Sequence, residues 1–335
     1  MKGILIIGWL IFLVIMLGAC SADKPDLQTS AEVLSRDVSQ TSDLTGILAT
    51  TDLSVGTQRV SFLLTSPSGL IKVPQLEVSA VFYPDDSSSG STRATNRALF
   101  YLWPYATRGT YVTQLSLDQP GDWELTIEVP REEGAVGRTS IPLRVRERSV
   151  TPPIGSRVPL SKNKTLHDVA NLRELSSASS PDPDMYRLTI AEAVESRKPL
   201  MVVFSSPAFC TTPTCGPQLE EVQSLKDRYR DRASFIHVEV YDNVEEVQER
   251  GLGSGRYAKS VLDWHLPDIE SYLNESWVFV VDANGRLAAK FQGFAAAKEL
   301  EEALDEVLSS PSAKSASMLQ GREQPWSNPW QKQAG

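Results

Sequence analysis

Two cysteines carry the chemistry that the sequence can be seen to offer. Cys210 and Cys215 end the stretch that begins at Leu200, Leu-Met-Val-Val-Phe-Ser-Ser-Pro-Ala-Phe-Cys-Thr-Thr-Pro-Thr-Cys. Leu200 to Phe204 is an apolar run short enough to be one buried strand. Ser205, Ser206 and Pro207 then turn the chain, and Gly216-Pro217 leads into a helical segment. A strand that delivers thiols to a helix start suits thiol chemistry, because helix N-terminal N–H groups favour thiolate over thiol. On that ground Cys215, nearer the helix, is expected to be the better-activated thiolate, with Cys210 as its partner.

The whole chain sets the context. It has 335 residues, enough for two domains, with 41% apolar and 22% charged residues as in globular proteins. A net charge of −9 and a pI near 5.1 argue against a nucleic-acid partner. Three cysteines are too few for a disulfide scaffold, and the first has another explanation. Lys2 precedes an almost wholly apolar run, Ile4 to Leu17, and Leu17-Gly18-Ala19-Cys20 ends it. That ending resembles the bacterial lipobox. The resemblance implies a signal peptide over 1–20, lipidation of Cys20 and a membrane anchor outside the cytoplasm. An uncleaved apolar anchor is the alternative. Either leaves Cys210 and Cys215 as a pair in a compartment that permits disulfides.

Residues 21–45 are rich in Ser, Thr and Asp and read as a flexible tether. From 46 to 148 the pattern is short alternating strands: 58–65, 75–82, 110–117, 123–129 and 140–145. Turn signals separate them, so an antiparallel β-sandwich is expected. The run Gly109-Thr-Tyr111 with Gln119-Pro-Gly-Asp-Trp123 resembles immunoglobulin-like modules of bacterial envelopes. Tyr111 and Trp123 are expected in its core, and Trp103 to Tyr105 at an exposed edge. This domain would bind or position something. Residues 149–184, with five prolines, read as a linker in which His167 is simply solvated.

From 185 to 308 helices and strands alternate: a helix at 190–196 capped by Thr189, the strand 200–204, a helix over 217–229, a strand at 235–240, an insertion at 244–262, a strand at 277–282, a return strand at 287–291 and a helix over 298–308. This order, with Val-Val-Phe-Ser-Ser-Pro-Ala-Phe-Cys210, Cys215-Gly-Pro and Phe279-Val-Val-Asp-Ala-Asn-Gly-Arg286, resembles the thioredoxin fold and its extracytoplasmic TlpA-like branch. The resemblance implies an α/β domain that exchanges thiols and disulfides with an envelope protein, through Cys210 and Cys215. Five residues of separation let the two Cα atoms approach to the ~4.4–6.8 Å that a disulfide needs. The tail, 309–335, reads as disordered.

The pattern departs from the family in two places. Four residues, not two, separate the cysteines, and Gln218 falls where the second cysteine of a Cys-x-x-Cys would stand. Ser276 occupies the place of the family's cis-proline. These departures keep open a non-enzymatic adaptor with a structural disulfide. A likeness to Sco-type copper proteins keeps open a metal site of Cys210, Cys215 and His265; otherwise no cofactor is implied. His237, inside an apolar strand, reads as a core histidine.

Overall fold

The computed structural model describes residues 43–84, 89–104, 108–131, 135–270, 272 and 274–310. The leader with Cys20, most of the tether and all but the start of the tail lie outside them. Among the described residues no helix is long and apolar enough to cross a membrane.

The first sheet holds nine strands: β1 (Thr45–Leu48), β2 (Leu53–Ser54), β3 (Gly56–Ser66), β4 (Gly69–Leu70), β5 (Gln75–Tyr83), β6 (Ser91–Leu102), β7 (Gly109–Leu117), β8 (Gly121–Pro130) and β9 (Val136–Arg146). They hydrogen-bond along one path, β1-β3-β7-β6-β5-β8-β9-β2, with β4 paired to β3. All pairings are antiparallel except β2 with β9. The β1 end of the path folds back on β9. Thr139 Oγ1 donates to Leu44 O at 3.2 Å, and a Cβ on Gly46 would stand 2.5 Å from Ile141 Cγ1. Alternating residues such as Val60, Phe62, Val78, Ala80, Leu125 and Ile127 therefore fill one enclosed core. Tyr111 and Trp123 lie in it, as expected.

The glycines of the quoted motif have physical reasons. A Cβ at Gly109 would run into the Phe100 ring and stand 2.7 Å from the Tyr101 carbonyl, so β6 and β7 can close only on glycine. Gly121 turns the chain into β8 at φ +130°. Trp103 corrects an expectation. It is buried rather than at an exposed edge, because its ring packs 5.5 Å from Phe294 of the second sheet's domain and its Nε1 donates to Thr110 Oγ1.

The second sheet has four strands in the order β11-β10-β12-β13: β10 (Leu200–Ser205), β11 (Ser234–Glu239), β12 (Trp277–Val281) and β13 (Leu287–Gln292). β10 and β11 are parallel; β12 and β13 run antiparallel to their neighbours. Both faces are buried, so the strands read as continuous apolar runs. Leu200, Val202, Phe204, Phe279 and Val281 face a cluster with Ile190 and Ala193 of α1 (Ile190–Glu195) and with Trp264. Met201, Val203, Val278 and Val280 face α2 (Cys215–Tyr229) and α5 (Ala297–Ser309). Two short helices, α3 (Val244–Arg250) and α4 (Lys259–Asp263), fill the insertion. Thr189 caps α1 by accepting from Glu192 N–H.

The stretch 149–184 joins the sheets and is held by both. Val150 N–H, Thr151 N–H and Thr151 Oγ1 donate to the buried Asp52 carboxylate. Ser161, Thr165 and Leu175 are buried, while His167 is exposed. Across the same junction Lys290 Nζ lies 3.0 Å from Asp52 Oδ2, and Arg59 Nε lies 2.8 Å from Glu299 Oε1.

Candidate functional site

β10 ends at Ser205, buried between its neighbours, and the chain leaves the sheet through Ser206 and Pro207. It returns as α2, whose first residue is Cys215, two residues earlier than the apolar periodicity places it. No side chain caps this helix start, and Pro217 has no N–H to offer. The first free N–H groups of α2 therefore act beside the sulfur of Cys215, with the positive end of the helix dipole.

Cys210 and Cys215 are joined as a disulfide, with Cα atoms 6.0 Å apart. The two sulfurs differ in access. Cys215 is 0% exposed, whereas Cys210 is half-buried in the loop. Of the two residues, only Cys210, the one farther from the helix, keeps exposed surface. Cys215 thus combines the helix-start position with complete burial, and Asn274, in the loop before β12, lies against it.

The wall of the site is a residue that sequence reasoning overlooked. Asn274 lies in the left-handed region at φ +50° and is buried. Its carbonyl oxygen stands 3.3 Å from Cys210 Sγ and 3.8 Å from Cys215 Sγ. Its Nδ2 donates to Phe209 O at 3.1 Å and to Tyr241 Oη at 3.3 Å, which locks the loop to the cysteine segment. The signal available in the sequence was an asparagine shortly before the apolar strand, a residue type that tolerates this conformation. Ser276 is fully buried, and its Oγ donates to Gly293 O at 2.9 Å. The described residues hold no cis peptide. Gln218, one turn along α2, accepts from Ala295 N–H at 2.6 Å and ties α2 to the start of α5.

Two buried carboxyls flank this wall. Glu239, at the end of β11, accepts from Ser206 Oγ, from Ser177 N–H at 2.8 Å and from Val240 N–H. Burial raises it to about 7, although these donors pull the other way. Glu275, next to Asn274, accepts from Gln292 Nε2 at 2.5 Å and is likewise raised to about 7 by burial. His237 is a core histidine. Nε2 lies 3.1 Å from the Ser205 carbonyl, which can only accept, so Nε2 carries the proton and Nδ1 accepts from Tyr186 O–H at 2.6 Å. Burial lowers it to about 4.

The structure does not bring His265 to the cysteines. Its side chain is exposed on a 3₁₀ turn, with Nδ1 2.8 Å from Asp268 Oδ2. Among the described residues no group of three or more His, Cys, Asp or Glu side chains could hold a metal ion.

No protein-family model and no curated protein sequence matches the chain. Solved structures resemble part of it. One is a thiol:disulfide interchange protein of the thioredoxin family from Chlorobium tepidum TLS, at 14% identity and TM-score 0.28, over 36% of this chain and 86% of that one. A second is described as thiol:disulfide interchange protein DsbE from Chlorobium tepidum, at 10% identity and TM-score 0.32, over 47% and 99%. A third is MtrC from Shewanella baltica OS185, at 10% identity and TM-score 0.24, over 36% and 24%. At such identities and scores, activity has to be argued from the geometry of the cysteine site itself.

Proposed function

We propose that this chain is an envelope thiol–disulfide exchange protein in which Cys210 meets the partner and Cys215 is the buried second thiol. The observation that carries the reading is the asymmetry of the disulfide: one cysteine partly exposed, the other buried on the first residue of an uncapped helix. A partner thiolate attacks Cys210 Sγ. The S–S bond breaks, its electron pair goes to Cys215 Sγ, and the helix N-terminus stabilises the departing thiolate. A second partner thiolate attacks the partner sulfur of the mixed disulfide and releases Cys210 as a thiolate. The partner dithiol is then oxidised by two electrons and Cys210–Cys215 is reduced. The reverse sequence reduces a partner disulfide.

The leader ending in Leu17-Gly-Ala-Cys20 supports export and lipidation of Cys20, and so a membrane-anchored, extracytoplasmic location. The Gly109-x-Tyr111 and Pro120-Gly-x-Trp123 pattern supports an immunoglobulin-like reading of the first sheet, as a module that positions the cysteine domain. A second reading, an adaptor with a structural disulfide, is favoured by the complete burial of Cys215.

Equilibration of Cys210–Cys215 against thiol buffers separates the two. Exchange chemistry predicts a reduction potential above about −300 mV, together with reduction of insulin by the dithiol form. A potential well below that value, with no insulin reduction, would leave the adaptor.

A further inference from the structure

The residues that separate the cysteines, Thr211-Thr-Pro-Thr214, bring two hydroxyls to one sulfur. Thr212 Oγ1 lies 3.6 Å from Cys210 Sγ and Thr214 Oγ1 lies 4.0 Å from it, while the two hydroxyl oxygens stand 2.8 Å apart. Sulfur is a large, weak acceptor, so the nearer hydroxyl can donate to it and the farther one is at the limit of reach. One order of protons uses all three atoms. Thr214 O–H donates to Thr212 Oγ1, and Thr212 O–H donates to Cys210 Sγ. Hydrogen bonds in such a chain strengthen one another.

The start of α2 leaves Thr214 available for this. As the residue before the helix, it stands where a threonine hydroxyl ordinarily accepts from the N–H of the second or third helical residue. The third is Pro217, which has no N–H, and the Thr214 side chain makes no bond to the helix. The residue is buried, and its hydroxyl meets Thr212 instead. Pro213 disfavours helical backbone at Thr212, so Thr212 stays in the loop that carries Cys210.

The same sulfur meets the Asn274 carbonyl at 3.3 Å. A carbonyl can accept an S–H proton but offers nothing to a thiolate. Cys210 stands outside α2, and the helix-terminal effect falls off within one turn, so the helix start serves Cys215. A reduced Cys210 therefore has Asn274 O as acceptor for its thiol and the threonine hydroxyls as donors for its thiolate.

We propose that Thr212, backed by Thr214, is the hydroxyl donor that stabilises the Cys210 thiolate. Its role in exchange rests on Cys210 being the thiol that meets the partner. When a second partner thiolate attacks the mixed disulfide, a bond forms between the two partner sulfurs. The bond from the partner sulfur to Cys210 Sγ breaks, and its electron pair stays on Cys210 Sγ. Thr212 O–H donates to that thiolate. In the reverse direction the same donor holds Cys210 as the attacking thiolate. Thr212 touches a reacting atom and is a catalytic residue; Thr214 acts through it as a positioning residue.

In a Cys215→Ser chain, the pH dependence of iodoacetamide labelling measures the acidity of Cys210 before any exchange. The titratable groups around this sulfur are Cys215 across the pair, Tyr241, Tyr272 and Glu275 on the Asn274 side, and Glu239 bonded to Ser206. All but Cys215 are the same in every variant compared. Thr212→Val should raise the Cys210 pKa by about one unit, the low end for a hydrogen bond to a charged group, and slow labelling at neutral pH about tenfold. Thr212→Ser restores the hydroxyl and should titrate as the parent does. Thr214→Val should give a smaller rise, and Thr211→Val, at an exposed position, none. An unchanged titration in Thr212→Val overturns the proposal, and so does an equal shift in Thr212→Ser. With both cysteines present, Thr212→Val should slow insulin reduction at neutral pH and lose that deficit at high pH, where both proteins carry the thiolate. If the parent reduces no insulin while Thr212→Val still shifts the titration, the donor stands and only the exchange reading falls.

Discussion

The carbonyl oxygen of Asn274 stands 3.3 Å from Cys210 Sγ, nearer than the hydroxyls of Thr212 and Thr214 at 3.6 and 4.0 Å. The contact depends on a left-handed backbone and two side-chain hydrogen bonds, to Phe209 O and Tyr241 Oη. Asn274→Gly keeps the backbone accessible but loses both bonds. Asn274→Ala loses them and adds left-handed strain of about 1 kcal/mol or more. Urea unfolding should rank the variants parent, Gly, Ala, with losses of about 1–3 kcal/mol. The disulfide should also be reduced faster by dithiothreitol in both variants, since the wall beside Cys210 loosens. Unchanged reduction rates would mean that Asn274 does not control access.

The asymmetry of the pair is open to a direct comparison. Cys215→Ser leaves Cys210 as a free, half-buried thiol; Cys210→Ser leaves Cys215 with no exposed surface. Iodoacetamide labelling at neutral pH should be at least about tenfold faster for Cys215→Ser, as access limits the buried thiol despite its helix position. Mixed disulfides with a partner should accumulate only on the Cys215→Ser variant. Faster labelling of Cys210→Ser would invert the assigned roles.

Much of the second sheet is legible in the sequence because its strands are apolar on both faces. Leu200 to Phe204 and Trp277 to Val281 admit few other readings at that length, and Thr189 with Glu192 marks a helix start by its hydrogen bonds alone. β6 is not legible, because eight of its twelve residues are exposed and the sequence Ser91–Leu102 shows no polar–apolar alternation. Asn274 and the buried partners of Glu239 are hidden for a different reason. Their neighbours are 33 to 65 residues away in sequence, and no local period reports such contacts. The burial of Trp103 is hidden in the same way, since its partner, Phe294, lies in the segment between β13 and α5.

The raised carboxyl at Glu275 makes stability depend on pH with a definite sign. Its folded value is about 7, above the ordinary value near 4.5. The native state therefore binds more protons than the unfolded state between those values, and stability from this group falls as pH rises from about 4.5 to 7. Glu239 acts in the same direction. His237 opposes both: its folded value of about 4 lies below 6.5, so its contribution falls as pH drops from about 6.5 to 4. Glu275→Gln keeps an acceptor for Gln292 and removes one charge. Its melting temperature relative to the parent should rise steadily between pH 5 and 7 and level off above. A flat difference across that range would show that Glu275 is not buried as a neutral acid.

The junction between the sheets rests on a buried ion pair, Asp52 with Lys290, whose side chains are 0% and 10% exposed. Burial alone would raise the Asp52 carboxyl. The Lys290 ammonium, with hydrogen bonds from Thr151 and Val150, outweighs it and holds the group below the ordinary range. Such pairs add little net stability over an apolar pair, but removing one partner strands a buried charge. Lys290→Met alone should cost about 3–5 kcal/mol in urea unfolding, and Asp52→Leu alone a similar amount. The double variant should recover much of the loss, giving a coupling beyond the sum of the single changes. Gln292 adds a readout at the cysteine site, because it accepts from Thr51 N–H and Asp52 N–H while donating to Glu275, the neighbour of Asn274. If the junction holds the site in shape, Lys290→Met should also speed reduction of Cys210–Cys215 by dithiothreitol. Loss of stability with an unchanged reduction rate would confine the pair to joining the two sheets.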